Sequence, residues 1–116
     1  VNEILDRVSA EAMLLVDGGL NGILVENYGD TPFFPGPVPP VTVSTMAVLT
    51  REVAQLTSLP VGVNVLRNDA QSALGVALAA GAHFIRVNVH TGAMFTDQGL
   101  IHGTAHDTLR LRTSLG

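Results

Sequence analysis

The stretch Phe84-Ile85-Arg86-Val87-Asn88-Val89-His90 decides the fold. Successive side chains of a strand point to opposite faces, so Arg86, Asn88 and His90 share one face and Ile85, Val87 and Val89 the other. Such a strand needs two different neighbours. Helices suit the apolar set. Polar groups in a strand interior are costly unless they are paired or meet a ligand. The mouth of a parallel barrel supplies that setting. An open doubly wound sheet is the rival, but no Gly-x-Gly-x-x-Gly stands between any strand and its helix, which weakens a nucleotide-binding sheet.

Working outward, two more short β-rich runs match it: Gly22-Ile23-Leu24-Val25-Glu26 and Val61-Gly62-Val63-Asn64-Val65-Leu66. Helical spacing separates the strands. Ile4, Val8, Ala12 and Val16 repeat on one face before Gly18-Gly19, which supplies a left-handed stop. Thr42 is placed to cap a second helix that buries Met46, Leu49, Val53 and Leu56. Asn68 or Asp69 caps a third, Ala70 to Ala80, stopped by Gly81. Asp97-Gln98-Gly99 reads as a tight turn, suited to a small hairpin, and Thr104 as the cap of a last helix holding Leu109 and Leu111. Asp30 to Pro40 is rich in proline and reads as a long loop.

Alternating helices and strands imply parallel strands with crossover helices. The expected class is α/β, a partial (β/α)8 barrel of about three βα units, where a complete barrel takes about 250 residues. Residues 1–116 then form a fragment of one domain. An internal echo supports a repeated unit: Gly19 leads into Ile23–Glu26 as Gly81 leads into Phe84–Asn88. Read from those glycines, it sets Glu26 level with Asn88 and Leu24 level with Arg86. Exposed sheet edges in such a piece invite pairing with other chains, so it is expected to oligomerise or associate with further barrel segments.

Composition narrows the function. Charged residues make up only 14% and hydrophobic ones 47%, as in a packed core. A net charge of -4 without a basic run argues against a grip on nucleic acid or an anionic membrane. No cysteine is present, so thiolate metal sites and disulfides are excluded, in keeping with a reducing cytoplasm. No apolar run is long enough for a transmembrane helix.

Function in parallel α/β folds gathers at the carboxyl ends of the strands. Here these ends read Glu26-Asn27-Tyr28-Gly29-Asp30, Asn64-Val65-Leu66-Arg67-Asn68-Asp69 and Asn88-Val89-His90-Thr91-Gly92. Glu26 suits a general base, and an ion pair with Arg86 is the alternative. His90 suits an acid or base, or a histidine simply bonded at a strand end. Asn64 and Asn88 can orient a ligand or bond each other. Arg67 can fork onto a phosphate or carboxylate or stand in solvent. Asn27, Asn68, Arg86 and Thr91 complete the candidate ligand-binding set. Asp69 reads as a helix cap and Asp97 as a turn residue. His83, His90, His102 and His106 lack a zinc spacing, and no motif indicates a cofactor.

The strings Gly22–Phe33, Gly62–Asp69, Arg86–Met94 and Thr96–Ile101 together resemble the signature stretches of the BtpA family, which also includes the SgcQ proteins. The resemblance runs over essentially the whole chain. It implies a barrel of the ribulose-phosphate-binding group, with the first strand and several C-terminal units lying outside residues 1–116. It also implies a part in biogenesis of membrane complexes such as photosystem I, peripheral to a membrane and with protein partners. Phe33 and Phe34 are the expected partner surface. The rival expectation is an enzyme acting on a phosphosugar or nucleoside-type small molecule, an isomerase or a lyase/hydrolase.

Overall fold

The computed structural model describes all residues, Val1–Gly116. Three parallel strands, β1 (Ile23–Glu26), β2 (Val61–Asn64) and β3 (Phe84–Ile85), form a sheet in the order β1-β2-β3. They alternate with α1 (Asn2–Asp17), α2 (Pro40–Leu56) and α3 (Ala70–Ala80). An antiparallel hairpin, β4 (Ala93–Thr96) and β5 (Gly99–His102), and α4 (Ala105–Leu115) follow. The fold is thus α/β with a parallel sheet, and the sheet does not close into a barrel within this chain.

The two sheet faces differ as alternation requires. Val61, Val63 and Val65, all nearly inaccessible, point at the helices with Ile23, Val25 and Ile85. There they meet Met46 and Val53 of α2, Val76 of α3 and Ala12 of α1. Burying each such valine stabilises the fold by about 1.5–3 kcal/mol. The opposite face carries Leu24 and Glu26, Gly62 and Asn64, then Phe84 and Arg86. Gly62 has no room for a Cβ, because the Phe84 ring lies across it.

Helix ends follow local chemistry. Asp69 caps α3 by accepting Ser72 N–H at 3.0 Å, and Gly81 closes the helix at φ +76°. Gly19 takes the left-handed conformation after α1 at φ +81°, while Gly18 stays right-handed. The second helix departs from expectation. It starts at Pro40 rather than after Thr42, whose N–H already donates to Pro39. A first-position proline needs no donor and is preset in φ.

The third strand is shorter than its pattern. Pairing covers only Phe84 and Ile85, and the chain bends from Asn88 to His90. Register also corrects the level of Glu26. Glu26 pairs with Asn64, and β2 pairs Gly62 with Phe84 and Val63 with Ile85. One further step brings Arg86, not Asn88, level with Glu26. The echo fails because Leu24 lies five residues beyond Gly19, whereas its neighbour in level, Phe84, lies three beyond Gly81.

Candidate functional site

Four polar side chains meet on the sheet face turned away from the helices. Asn64 Nδ2 donates to Glu26 Oε1 at 2.9 Å and to Asn88 Oδ1 at 3.0 Å. Arg86 Nη1 donates to the same Glu26 Oε1 at 3.2 Å. Asn64 is 1% exposed and sits at the centre of the network. The Glu26 side chain is 24% exposed and that of Arg86 56%. An ion pair with that much solvent contributes about 0–1 kcal/mol. Stability is therefore a weak reason for the ion pair, whereas each hydrogen bond of buried Asn64 contributes about 0.5–1.5 kcal/mol. Glu26 Oε2, Asn64 Oδ1 and Asn88 Nδ2 make no hydrogen bond within the chain.

Two other candidates do different work. Asn27 accepts Leu66 N–H at 2.7 Å and donates to Leu66 O at 3.2 Å. Asn68 accepts Val89 N–H at 2.8 Å and donates to Val89 O at 2.9 Å. Each side-chain amide stands in for a strand backbone just where the ladder ends. The amides splice β1 to the end of β2 and the end of β2 to the segment after β3. The bonds seen for both residues thus tie the strand ends together.

Arg67 is likewise engaged. Its Nε donates to Gln98 Oε1 and its Nη2 to Asp97 Oδ1, both at 2.7 Å, and its guanidinium lies 5.0 Å from the centre of the Phe33 ring. Arg67 thus ties the hairpin turn and the proline-rich loop to the end of β2. Asp97 gains an ionic role beyond its turn. Phe33 is buried in this stack, with Tyr28 edge-on at 6.2 Å, so only Phe34 of the expected aromatic surface is exposed. Asp69 also holds the loop, accepting Val38 N–H at 3.0 Å.

His90 is half-buried, its Nδ1 is shielded without a partner, and it makes no hydrogen bond to the Glu26 network. The chain just after the hairpin passes close to its carbonyl: a Cβ added at Gly103 would lie 2.5 Å from His90 O, so only glycine fits there. Thr91 is exposed. No group of three or more His, Asp or Glu side chains is placed to hold a metal. A histidine absent from the candidate set has a defined role: His83 Nδ1 accepts Val61 N–H at 3.1 Å, which places the neutral ring's proton on Nε2. No helix is long and apolar enough to cross a membrane.

Comparison with known proteins agrees with the local strings. The photosystem I biogenesis protein BtpA of Synechocystis is 52% identical over 112 residues, covering 97% of this chain and 39% of that protein. An uncharacterized protein of Pyrococcus abyssi is 43% identical over 99% of this chain and 44% of its own length. A mitochondrial uncharacterized protein of Caenorhabditis elegans is 32% identical over 99% of the chain and 43% of its own length. The chain thus spans less than half of each of these relatives. No solved structure matches it. The family model described as the BtpA family matches residues 1–116, and the chain belongs to the BtpA family.

Proposed function

We propose that this chain forms part of a (β/α)8 barrel whose mouth binds a small molecule, in a protein that serves the biogenesis of a membrane complex. The binding reading is carried by the Glu26–Asn64–Asn88–Arg86 network. It leaves Glu26 Oε2, Asn64 Oδ1 and Asn88 Nδ2 without a partner in the chain on one face of the sheet, a set of two acceptors and a donor to which a ligand can bond. The barrel reading is supported by β1 and β3, each of which uses only one edge. Apolar grooves of about 220 and 410 Å³ flank those free edges. The matched relatives, more than twice as long, have residues enough to complete such a domain. The biogenesis reading is supported by the role named for the Synechocystis relative. It makes the protein cytoplasmic and peripheral to a membrane, with exposed Phe34 and Phe95 open to protein partners.

Thermal-shift titration of the full chain against phosphosugars and nucleosides tests the binding reading. A stabilising ligand is expected, with affinity at least tenfold weaker in Asn88→Ala while the unliganded melting temperature changes little. Equal binding by both proteins would reject the site. The second reading is an enzyme on such a substrate, with Glu26 as general base. It is favoured by the unengaged Oε2. Glu26→Gln should then lower turnover by about 10²–10⁴-fold, far more than it weakens binding, and equal losses in both would count against it.

A further inference from the structure

We propose that the Glu26 cluster recognises the vicinal hydroxyl pair of a sugar-like ligand, and that it does not hold that ligand's phosphate; the inference rests on the small-molecule reading of the site. A carboxylate only accepts hydrogen bonds. Asn64 must therefore turn its amide nitrogen to Glu26, and the same nitrogen reaches Asn88. Asn88 must then present its oxygen to Asn64. Both amide orientations follow from the carboxylate. What remains free is a mixed set: Glu26 Oε2 and Asn64 Oδ1 as acceptors, Asn88 Nδ2 with Arg86 Nε and Nη2 as donors.

A hydroxyl both donates and accepts, and two adjacent hydroxyls use both kinds of partner at once. A phosphate only accepts at its charged oxygens and would face the carboxylate. The charges of Glu26 and Arg86 offset each other at 3.2 Å, and Arg67 is held by Asp97 and Gln98. No uncompensated arginine is left at the strand ends to take a dianion. One level down the same face, Leu24 and Phe84 are exposed, with the Phe84 ring over Gly62. That apolar floor suits the C–H face of a sugar ring.

The test follows the side-chain amide resonances of Asn64 and Asn88 in the full chain by NMR. The probes are methyl β-D-ribofuranoside, its 2-deoxy counterpart and inorganic phosphate. The ribofuranoside is expected to shift both amides, and the 2-deoxy compound to need about tenfold more for the same response. Glu26→Gln, or Asn88→Ala should the first variant fold poorly, is expected to weaken the ribofuranoside response about tenfold. Equal responses to the two furanosides would overturn the hydroxyl inference. Phosphate shifting the amides where the ribofuranoside does not would also overturn it, while upholding the small-molecule site. Silence towards all three probes would count against both.

Discussion

Asp69→Ala is expected to lower the stability of the full chain by about 2–4 kcal/mol. Asp69 Oδ1 accepts Ser72 N–H at 3.0 Å, and Oδ2 accepts both Ser72 Oγ at 2.6 Å and Val38 N–H at 3.0 Å. Loss of a helix cap accounts for about 1 kcal/mol. The buried Val38 N–H, left without an acceptor, adds about 1–3 kcal/mol. Val38 belongs to the main core cluster with Met46 and Val63, so the proline-rich loop should loosen together with the start of α3. Denaturant titration reads the change. Asp69→Asn, which keeps the acceptor for Ser72 N–H but turns an N–H towards Val38 N–H, should spare only the cap's share of about 1 kcal/mol. A loss below about 1 kcal/mol in Asp69→Ala would show that the loop is held by its apolar packing alone.

Asn68→Ala is expected to cost about 2–3 kcal/mol, because it removes both hydrogen bonds to Val89 at a position with no strand to replace them. The effect should be local. Hydrogen exchange at the Val89 amide should accelerate strongly while that at Leu66 changes little. Asn27→Ala should give the converse pattern, since its bonds go to Leu66. Asn68→Asp retains the acceptor for Val89 N–H but sets a carboxylate oxygen against Val89 O, so stability should fall at least as far as in the alanine variant. Uniform acceleration across the sheet in either alanine variant would contradict the splice role. It would mean that these amides support the fold as a whole.

The alternation of helix and strand was legible because each period comes from a core the chain itself completes. Val61, Val63 and Val65 have helices on one side, and the sequence shows this as β-branched residues at every second position. The cap at Asp69, the stop at Gly81 and the hairpin turn at Asp97-Gln98-Gly99 were legible for the same local reason. The splices were not. Asn27 and Asn68 find their partners 39 and 21 residues away, and an asparagine at a strand end looks the same whether it meets a ligand or a backbone. The pairing of Arg67 with Asp97 and Gln98 was hidden likewise, being set by where the hairpin folds back. The convergence of Glu26, Asn64, Asn88 and Arg86 was largely legible. The Glu26–Arg86 ion pair and the Asn64–Asn88 bond, each an alternative reading of the sequence, both form. The strand register adds that Arg86 stands level with Glu26 and that Asn64 bridges the group.

A crystal structure of the full chain soaked with methyl β-D-ribofuranoside tests the central claim most directly. The expected result is density for the sugar within hydrogen-bond distance of Glu26 Oε2 and Asn88 Nδ2, with the Asn64 bridge intact. If another side chain of the protein itself occupies those atoms and no sugar enters, the cluster is an internal polar core and the mouth-site account is wrong.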